Sequence, residues 1–245
     1  MNIVIPMVGE GRRFREAGFS KKKPLVQVKN KTIVEHAVDS FGVEGNYIFV
    51  IKKDESSEEL KSVLKRSKPG CKIVETENNT DGSVSSILLA SDLINTDDAL
   101  ITTNCDQVLY WDSTLFTSYC EQSGLDGVVA TYPFDDIKLC EESPYSFVIS
   151  GLDGLAEELV EKRALSFSAL CGIHFWKTGK LFVESAEDLI QRNERVKNEF
   201  YVSQAYNSLI KRKNGKVGSF PLSPGQFFSL GTPEDVEKYE NSKIE

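Results

Sequence analysis

Residues 2–14 read NIVIPMVGEGRRF, and this opening decides the fold. Residues 3–8 form a continuous apolar run, which is typical of a buried strand in a parallel sheet. Gly9 and Gly11 follow, and glycines there let the backbone turn sharply and approach a ligand closely. The backbone N–H groups of such a loop, ahead of a helix, can bind phosphate oxygens. The opening therefore predicts a strand, a glycine loop and the start of a helix.

The glycine spacing differs from the two common phosphate-binding motifs. The third glycine position of a dinucleotide fingerprint holds Phe14, and no Gly-Lys-Ser/Thr closes the loop as in a P-loop. A cluster of cations accompanies the loop and the following SKKKPLVQV stretch at residues 20–28: Arg12, Arg13, Arg15, Lys21, Lys22 and Lys23. A turn with a solvated basic rim and a site for a phosphate-bearing small molecule both fit this cluster.

The composition excludes several classes of protein. The 245 residues carry 29 Lys and Arg against 37 Asp and Glu, a formal net charge of -8, which argues against general nucleic-acid binding. No apolar run is long enough to cross a bilayer and no secretory leader is evident, so we expect a cytoplasmic protein without membrane contact. Five scattered cysteines without a CxxC pair, and only two histidines, argue against a zinc site and for free thiols in a reducing compartment.

The first half of the chain alternates between strand-like and helix-like segments. This alternation favours a parallel, doubly wound sheet. From about Pro133 the rhythm changes, and the segments 145–150 and 155–162 indicate a hairpin with a glycine-bearing turn. We expect a Rossmann-like α/β fold with a mixed sheet, to which the C-terminal half adds a hairpin and helices. Residues 1–245 are interpreted as one domain with two halves, residues 1–132 and residues 133–245.

Two adjacent motifs together resemble a known family. GEGRRF at residues 9–14, followed by KKPLVQVKNKTIVEHAV at 22–38, is similar to the opening signature of the sugar-phosphate nucleotidyltransferases. These pyrophosphorylases join a nucleoside triphosphate (NTP) to a sugar 1-phosphate. The resemblance implies that Arg13 and Lys23 are the catalytic contacts to the triphosphate and that the loop of Gly9 and Gly11 lies along it. Lys21 and Lys22 are interpreted as solvated neighbours of Lys23.

The segment NNTDGSVSSILLA at residues 78–90 resembles the second nucleotide-binding segment of that family. Gly82 matches the glycine that lets the base lie against the backbone. Glu77 falls near the position where relatives use glutamine to read the base. A carboxylate accepts hydrogen bonds only, so a base-reading Glu77 would favour an exocyclic amine, as in CTP or GTP. An exposed loop residue without that role is the equal alternative.

Further matches concern the metal and the acceptor. Asp106 ends an apolar strand in NCDQ, at the carboxyl edge where α/β sheets bind ligands, and it matches the Mg²⁺-binding aspartate of the family. Glu161 and Lys162 match the segment that contacts the sugar and its phosphate, and Gly172 matches the glycine that gives the acceptor room. His174 alternates with apolar residues and is interpreted as structural.

The last part of the chain resembles a short branch of the family found in surface-polysaccharide contexts. FFSLGTPEDVEKY at residues 227–239 carries this likeness, but Ser229 stands where many relatives have a second metal-binding aspartate. Glu199 and Asp235 are candidates for the second carboxylate. A homodimer is plausible by the same resemblance.

The sequence therefore predicts a Mg²⁺-dependent transfer from an NTP to a phosphorylated acceptor, which gives an NDP-linked product and pyrophosphate. A sugar 1-phosphate is the first candidate for the acceptor. Three alternatives stay open: a cytidylyltransferase for a non-sugar phosphate or phosphonate, a glycosyltransferase that uses nucleotide sugars, and a non-catalytic nucleotide-binding regulator. The single aspartate of NCDQ disfavours the glycosyltransferase, whereas Ser229 keeps the regulator open.

Overall fold

A computed structural model of the chain describes residues 1–134 and 142–242. Within these ranges the helices are α1 (Arg12–Glu16), α2 (Ile33–Phe41), α3 (Ser57–Ser67), α4 (Ser83–Leu88), α5 (Ser91–Ile94), α6 (Ser113–Gln122), α7 (Gly179–Gln191), α8 (Val202–Lys213) and α9 (Pro233–Glu240). The strands are β1 (Asn2–Met7), β2 (Gln27–Val28), β3 (Lys31–Thr32), β4 (Asn46–Lys52), β5 (Lys72–Thr76), β6 (Leu100–Thr103), β7 (Gln107–Leu109), β8 (Gly127–Pro133), β9 (Ser146–Ser150), β10 (Ala156–Glu161), β11 (Ser168–Trp176), β12 (Val217–Pro221) and β13 (Phe227–Ser229).

One nine-stranded mixed sheet runs through both halves of the chain. Its strand order is β10-β9-β11-β6-β1-β4-β5, and β8 pairs with β11 and β12. The neighbours of β1 are parallel to it, as βαβ crossovers require, whereas β11 is antiparallel to β6 and β8. The Rossmann-like α/β fold with a mixed sheet is confirmed, and the predicted hairpin is the antiparallel pair of β9 and β10.

The core lies on both faces of this sheet. Successive residues of β1 point to opposite faces, so Val4 packs with α4, α7 and α8, while Ile3 and Ile5 pack with α2, α3 and α6. All three side chains are buried. Burial on both faces explains the unbroken apolar run with which the chain opens.

Strand β11 forks the sheet close to the carboxyl end of β6. Over Ile173–Trp176 it pairs with β6, but Ala169 pairs with Phe147 of β9 on the same edge. The register against β8 shifts between Leu170 and His174, and Gly172 lies within the shift at a φ of 78°. Such irregularities bend a strand and redirect its side chains. The fork leaves an opening between β6 and the β9–β10 hairpin.

Local hydrogen bonds define the ends of several helices. Residues 83–94 are divided into α4 and α5, because the turn at Leu89 and Ala90 tightens to i, i+3 hydrogen bonds. Ser56 precedes α3 without a side-chain cap, whereas the side chains of Asp112 and Thr232 cap α6 and α9. None of the helices in the described ranges combines the length and the apolar character needed to cross a bilayer.

Candidate active site

Three adjoining cavities form one cleft at the carboxyl edge of the central strands. The central cavity, of about 330 Å³, is lined by the loop after β1 and the segments around Gly82 and Asp106. A basic cavity of about 260 Å³ shares Gly9, Gly11 and Lys23 with it. The fork cavity, of about 270 Å³, opens where β11 leaves β6 and shares four lining residues with the central cavity: Pro6, Ser83, Asn104 and Glu199.

The glycine loop packs directly against the KPL turn. Gly11 precedes α1 in the left-handed region, with a φ of 59°, and its carbonyl oxygen accepts from Phe14 N at 3.1 Å. A Cβ at Gly11 would lie 3.0 Å from Cβ of Lys23. The glycine therefore meets two needs, an unusual backbone conformation and close contact with the lysine. The two opening motifs meet at this contact.

Lys23 and Asp106 form an ion pair in the central cavity. Lys23 starts the 3-10 turn Lys23–Leu25, and its Nζ donates to Oδ2 of Asp106. Each side chain is only 20% exposed. Burial alone would lower the pKa of Lys23, but the adjacent Asp106 carboxylate outweighs it and raises the pKa. The predicted triphosphate lysine and the predicted metal ligand are thus brought into direct contact.

A second carboxylate lies beside Asp106. The short ladder of β7 and β13 pairs Gln107 with Ser229 and so carries the start of α9 to this place. A Cβ at Gly231 would lie 3.1 Å from Ser229 Oγ, 3.4 Å from Asp106 Oδ2 and 3.7 Å from Asp235 Oδ2. Ser229 Oγ also donates to Asp235 Oδ2 at 2.9 Å. The missing side chain of Gly231 thus leaves a space bordered by three oxygen atoms, the kind of donor that Mg²⁺ prefers.

Gly82 brings the two halves of the chain together at the central cavity. It precedes α4 with a φ of 108°, and a Cβ there would lie 2.5 Å from the carbonyl oxygen of Phe200. Phe200 N donates to Asp81 O at 2.7 Å, and Val84 N donates to Phe200 O at 3.1 Å. Gly82 does line the cavity, but the close neighbour that requires a glycine is the Phe200 backbone.

Glu161 and Lys162, at the end of β10, line the fork cavity together with Gly172. Glu161 is buried, and its carboxylate accepts from the hydroxyl groups of Ser146 and Ser203. Lys162 Nζ lies 3.4 Å from Glu161 Oε1 and donates to Pro144 O at 2.8 Å. The positive φ of Lys162, 60°, turns the chain at the strand end. An anchored carboxylate and an ammonium group thus border the same cavity.

Asn104 stands between the central and fork cavities. A Cβ at Gly172 would overlap its side-chain amide, so the glycine is required for Asn104 to occupy this place. Asn104 was not among the predicted site residues, although it directly precedes Cys105 and Asp106 in NCDQ. Its position one residue past the end of β6 could have indicated a site residue, because α/β sheets bind ligands at the carboxyl ends of their strands.

The cations of the opening have separate surroundings. Four of them form ion pairs outside the central cavity: Arg12 with Glu16, Arg15 with Glu10 and Lys21 with Glu59 are exposed pairs, and Lys22 pairs with Asp54. The Lys22 side chain is only 10% exposed, so the interpretation of Lys22 as a solvated neighbour is wrong. Arg13 is exposed on α1. Burial raises the pKa values of Tyr145 and Tyr201 on the acceptor side of the cleft, and the positive charge of Arg13 acts on both in the opposite sense. Arg13 lines none of the three cavities, so its contact with a triphosphate stays a prediction.

Glu77 lies apart from this cleft. Its side chain is 75% exposed, its Oε1 lies 3.0 Å from Lys53 Nζ, and it lines none of the three cavities. The preference for CTP or GTP rested on Glu77, so the geometry gives that preference no support. The polar side chains of this segment that line the central cavity include Ser83 and the pair of Thr80 and Ser86, whose hydroxyl groups are 2.6 Å apart.

Solved structures similar to this chain include nucleotidyltransferases with different acceptors. A nucleoside-diphosphate-sugar pyrophosphorylase from Vibrio cholerae RC9 has a TM-score of 0.80 at 17% identity, over 98% of this chain and 100% of that one. An inositol-1-phosphate CTP transferase from T. maritima has a TM-score of 0.74 at 12% identity, over 100% of this chain and 97% of that one. A CTP:phosphocholine cytidylyltransferase from Streptococcus pneumoniae has a TM-score of 0.70 at 18% identity, over 98% and 97%. At these identities the likeness concerns the fold.

The family follows from a match over most of the chain. The MobA-like NTP transferase domain matches residues 3–165, a range that holds the glycine loop, Lys23, Asp106 and the Glu161–Lys162 pair. The fold of the similar structures agrees with this match. The chain therefore belongs to the MobA-like NTP transferase family and is a nucleotidyltransferase.

Proposed function

We propose that this nucleotidyltransferase joins an NTP to a sugar 1-phosphate and releases an NDP-sugar and pyrophosphate. The continuity of the central and fork cavities carries the proposal. Lys23, at the glycine loop, lines the central cavity, and Lys162, at the end of β10, lines the fork cavity. The two cavities adjoin at Asn104, so the two lysines border opposite ends of one cleft. The triphosphate occupies the loop side and the acceptor occupies the fork. In this division the 1–132 half binds the nucleotide and the 133–245 half binds most of the acceptor.

The reaction needs positioning and charge neutralisation more than proton transfer. A phosphate monoester is already largely ionised at neutral pH, since its second pKa is about 6. One of its oxygens attacks the α-phosphorus, the bond from that phosphorus to the bridging oxygen breaks, and pyrophosphate leaves with the bonding electrons. Lys23 and Arg13 stabilise the triphosphate charge, and Lys162 holds the acceptor phosphate in line. No protein nucleophile is required.

Asp106 and Asp235 are the residues that would hold Mg²⁺. Their carboxylates border the space beside Gly231, together with Ser229 Oγ. Bound Mg²⁺ supplies charge neutralisation at the phosphates, and it usually takes one or two carboxylates with its other ligands from water and substrate phosphates. Asp106 and Asp235 supply two carboxylates, and within residues 1–134 and 142–242 no group of three or more His, Cys, Asp and Glu is arranged for a metal ion. Asp235 thereby supplies the second carboxylate, which many relatives have at the position of Ser229.

A direct assay tests the function. Purified protein with Mg²⁺ is offered each common NTP with a panel of sugar 1-phosphates, polyol phosphates, phosphocholine and phosphoethanolamine, and pyrophosphate release is measured. We expect release only when an acceptor is present, and an NDP-sugar in the mass spectrum. Lys23→Ala should abolish turnover, while Lys211→Ala, which removes an exposed pair with Glu158 away from the three cavities, should retain it. Binding of NTP without release from any pair would identify a non-catalytic regulator instead.

A further inference from the structure

Thr102 and His174 lie opposite each other on the floor of the fork cavity. They are register partners in the antiparallel pairing of β6 and β11, and both line the cavity. Thr102 is 2% exposed and His174 is 8% exposed. Facing residues of this kind have Cβ atoms about 4.5–5.5 Å apart, so one small group can contact both side chains.

Both side chains carry a polar atom without a partner. Thr102 Oγ1 and His174 Nδ1 are buried and make no hydrogen bond with any residue that the structure describes. Buried polar atoms in proteins nearly always have a partner, which is another protein group or a bound molecule. Two adjacent exceptions beside one cavity indicate a partner that enters through that cavity.

The neighbouring Tyr206 does not supply this partner. Beneath His174 the Tyr206 ring lies at 5.8 Å between centroids, and the hydroxyl group of Tyr206 already donates to Phe175 O at 2.7 Å. Burial lowers the pKa of His174 to about 3, so its ring is neutral and offers one donor and one acceptor nitrogen. The floor is thus a neutral, two-sided hydrogen-bonding site.

We propose that Thr102 and His174 bind a hydroxyl group of the acceptor, which makes the acceptor a sugar or polyol phosphate. A hydroxyl group can donate to one of these side chains and accept from the other. The trimethylammonium group of phosphocholine has neither a donor nor an acceptor and would leave both atoms unpaired. The proposal rests on the proposed function, whose acceptor it specifies.

The buried Glu161 supports the same chemistry. Its carboxylate is fixed by Ser146 and Ser203 in the same cavity and can accept from a second hydroxyl group. The register shift of β11 between Leu170 and His174 redirects the strand at this place. Three polar groups of one cavity thus fit a polyhydroxylated molecule.

The test is Thr102→Val, with Thr131→Val as the matched control. Thr131 is another buried sheet threonine, 3% exposed, and it does not line the fork cavity. Turnover is measured with the best acceptor of the sugar and polyol panel, with its monodeoxy analogues, and with phosphocholine and phosphoethanolamine. We expect Thr102→Val to lower kcat/KM at least about tenfold for the full acceptor, and to have no effect with the one deoxy analogue that lacks the bound hydroxyl group.

Stability and NTP affinity separate this role from a structural one. Because Thr102→Val removes an unpaired buried hydroxyl group, the Tm of the free protein should stay the same or rise. NTP affinity measured by calorimetry should not change. His174→Leu should repeat the loss of kcat/KM, and His174→Gln should restore part of it. An equal loss with every acceptor and every deoxy analogue would assign the two atoms to a bound water and overturn the proposal.

A preference for phosphocholine or phosphoethanolamine would overturn the proposal while leaving nucleotidyl transfer itself intact. Absence of pyrophosphate release from every pair would contradict the proposed function instead. In that case calorimetry with NTP present compares the wild type and Thr102→Val in their binding of the sugar and polyol phosphates. This comparison still decides whether Thr102 and His174 recognise a hydroxyl group. Equal affinities would count against it.

Discussion

Gly11 combines a left-handed backbone conformation with close contact to Lys23, the residue that we propose binds the triphosphate. Alanine there adds strain at a φ of 59° and places a Cβ 3.0 Å from Cβ of Lys23. We expect Gly11→Ala to lower the free energy of unfolding by about 1–2 kcal/mol and to weaken NTP binding as well. Denaturant titration and calorimetry measure the two effects separately.

Gly70→Ala is the matched control for Gly11→Ala. Gly70 also has a positive φ, 83°, but a Cβ there would meet nothing within 4 Å. It should show the loss of stability without a change in NTP affinity. If Gly11→Ala binds NTP as the wild type does, the contact with Lys23 is not part of the triphosphate site.

The Asp235 carboxylate is the second metal ligand in the proposed site. Asp235→Asn should raise the Mg²⁺ concentration for half-maximal rate by about tenfold or more, and should weaken Mn²⁺ binding measured by electron paramagnetic resonance in the presence of NTP. Glu234→Gln is the control, because it removes another carboxylate from the first turn of α9 and so has the same effect on the helix dipole. Equal Mn²⁺ affinity in Asp235→Asn and the wild type would return Glu199 to consideration.

The sequence predicted those site residues that belong to recognisable short motifs. Lys23, Asp106, Glu161, Lys162 and Gly172 were selected from short motifs, and each lines the cleft. Nothing in the sequence indicated that Thr102 Oγ1 and His174 Nδ1 lack hydrogen-bond partners, because this depends on what surrounds each atom in space. His174 among apolar residues indicated burial alone.

At the scale of elements, helix α2 begins with a capping box of Thr32 and Glu35, in which the Glu35 carboxyl group titrates. Glu35 accepts from Thr32 N at 2.9 Å and lies 2.7 Å from Arg66 Nη2. Burial alone would raise the pKa of Glu35, but Arg66 and Thr32 outweigh it and lower the pKa from 4.5 to about 2. Since the folded pKa is depressed, this stabilisation is complete above pH 4.5 and is lost as the pH falls towards 2.

Glu35→Gln tests this linkage. At pH 7 the variant should be less stable than the wild type by about 1–2 kcal/mol, and the difference should shrink between pH 5 and pH 2. Denaturant titrations across this range measure it. Glu237→Gln, an exposed glutamate on α9, should show no such trend. A constant difference at every pH would mean that the charge of Glu35 does not stabilise α2.

Long elements were easier to predict than short ones. The strands β1, β4 and β8 and the helices α7 and α8 follow from apolar periodicity, which is a local property. The ladder of β7 and β13 has three residues in each strand, and only tertiary packing pairs them. That ladder is what places Asp235 beside Asp106, so the sequence named both Asp235 and Glu199 as candidates and did not decide between them.

At the scale of the whole molecule, the cleft depends on contact between the two halves of the chain. Gly82 in the first half admits the backbone of Phe200 from the second, and Glu199 lines both the central and the fork cavity. Any change that separates these segments alters both cavities at once. We therefore expect the central and the fork cavity, which we assign to the nucleotide and the acceptor, to change together when Gly82 is replaced.

Gly82→Ala tests this coupling, because its Cβ would lie 2.5 Å from Phe200 O and 2.7 Å from Phe200 N. We expect a loss of about 2–4 kcal/mol in the free energy of unfolding and a higher KM for both NTP and acceptor. Gly124→Ala, at a φ of 69° with nothing within 4 Å, should show the smaller loss from strain and normal KM values. A rise in the KM for NTP alone would mean that the two sites respond separately and that Phe200 does not couple them.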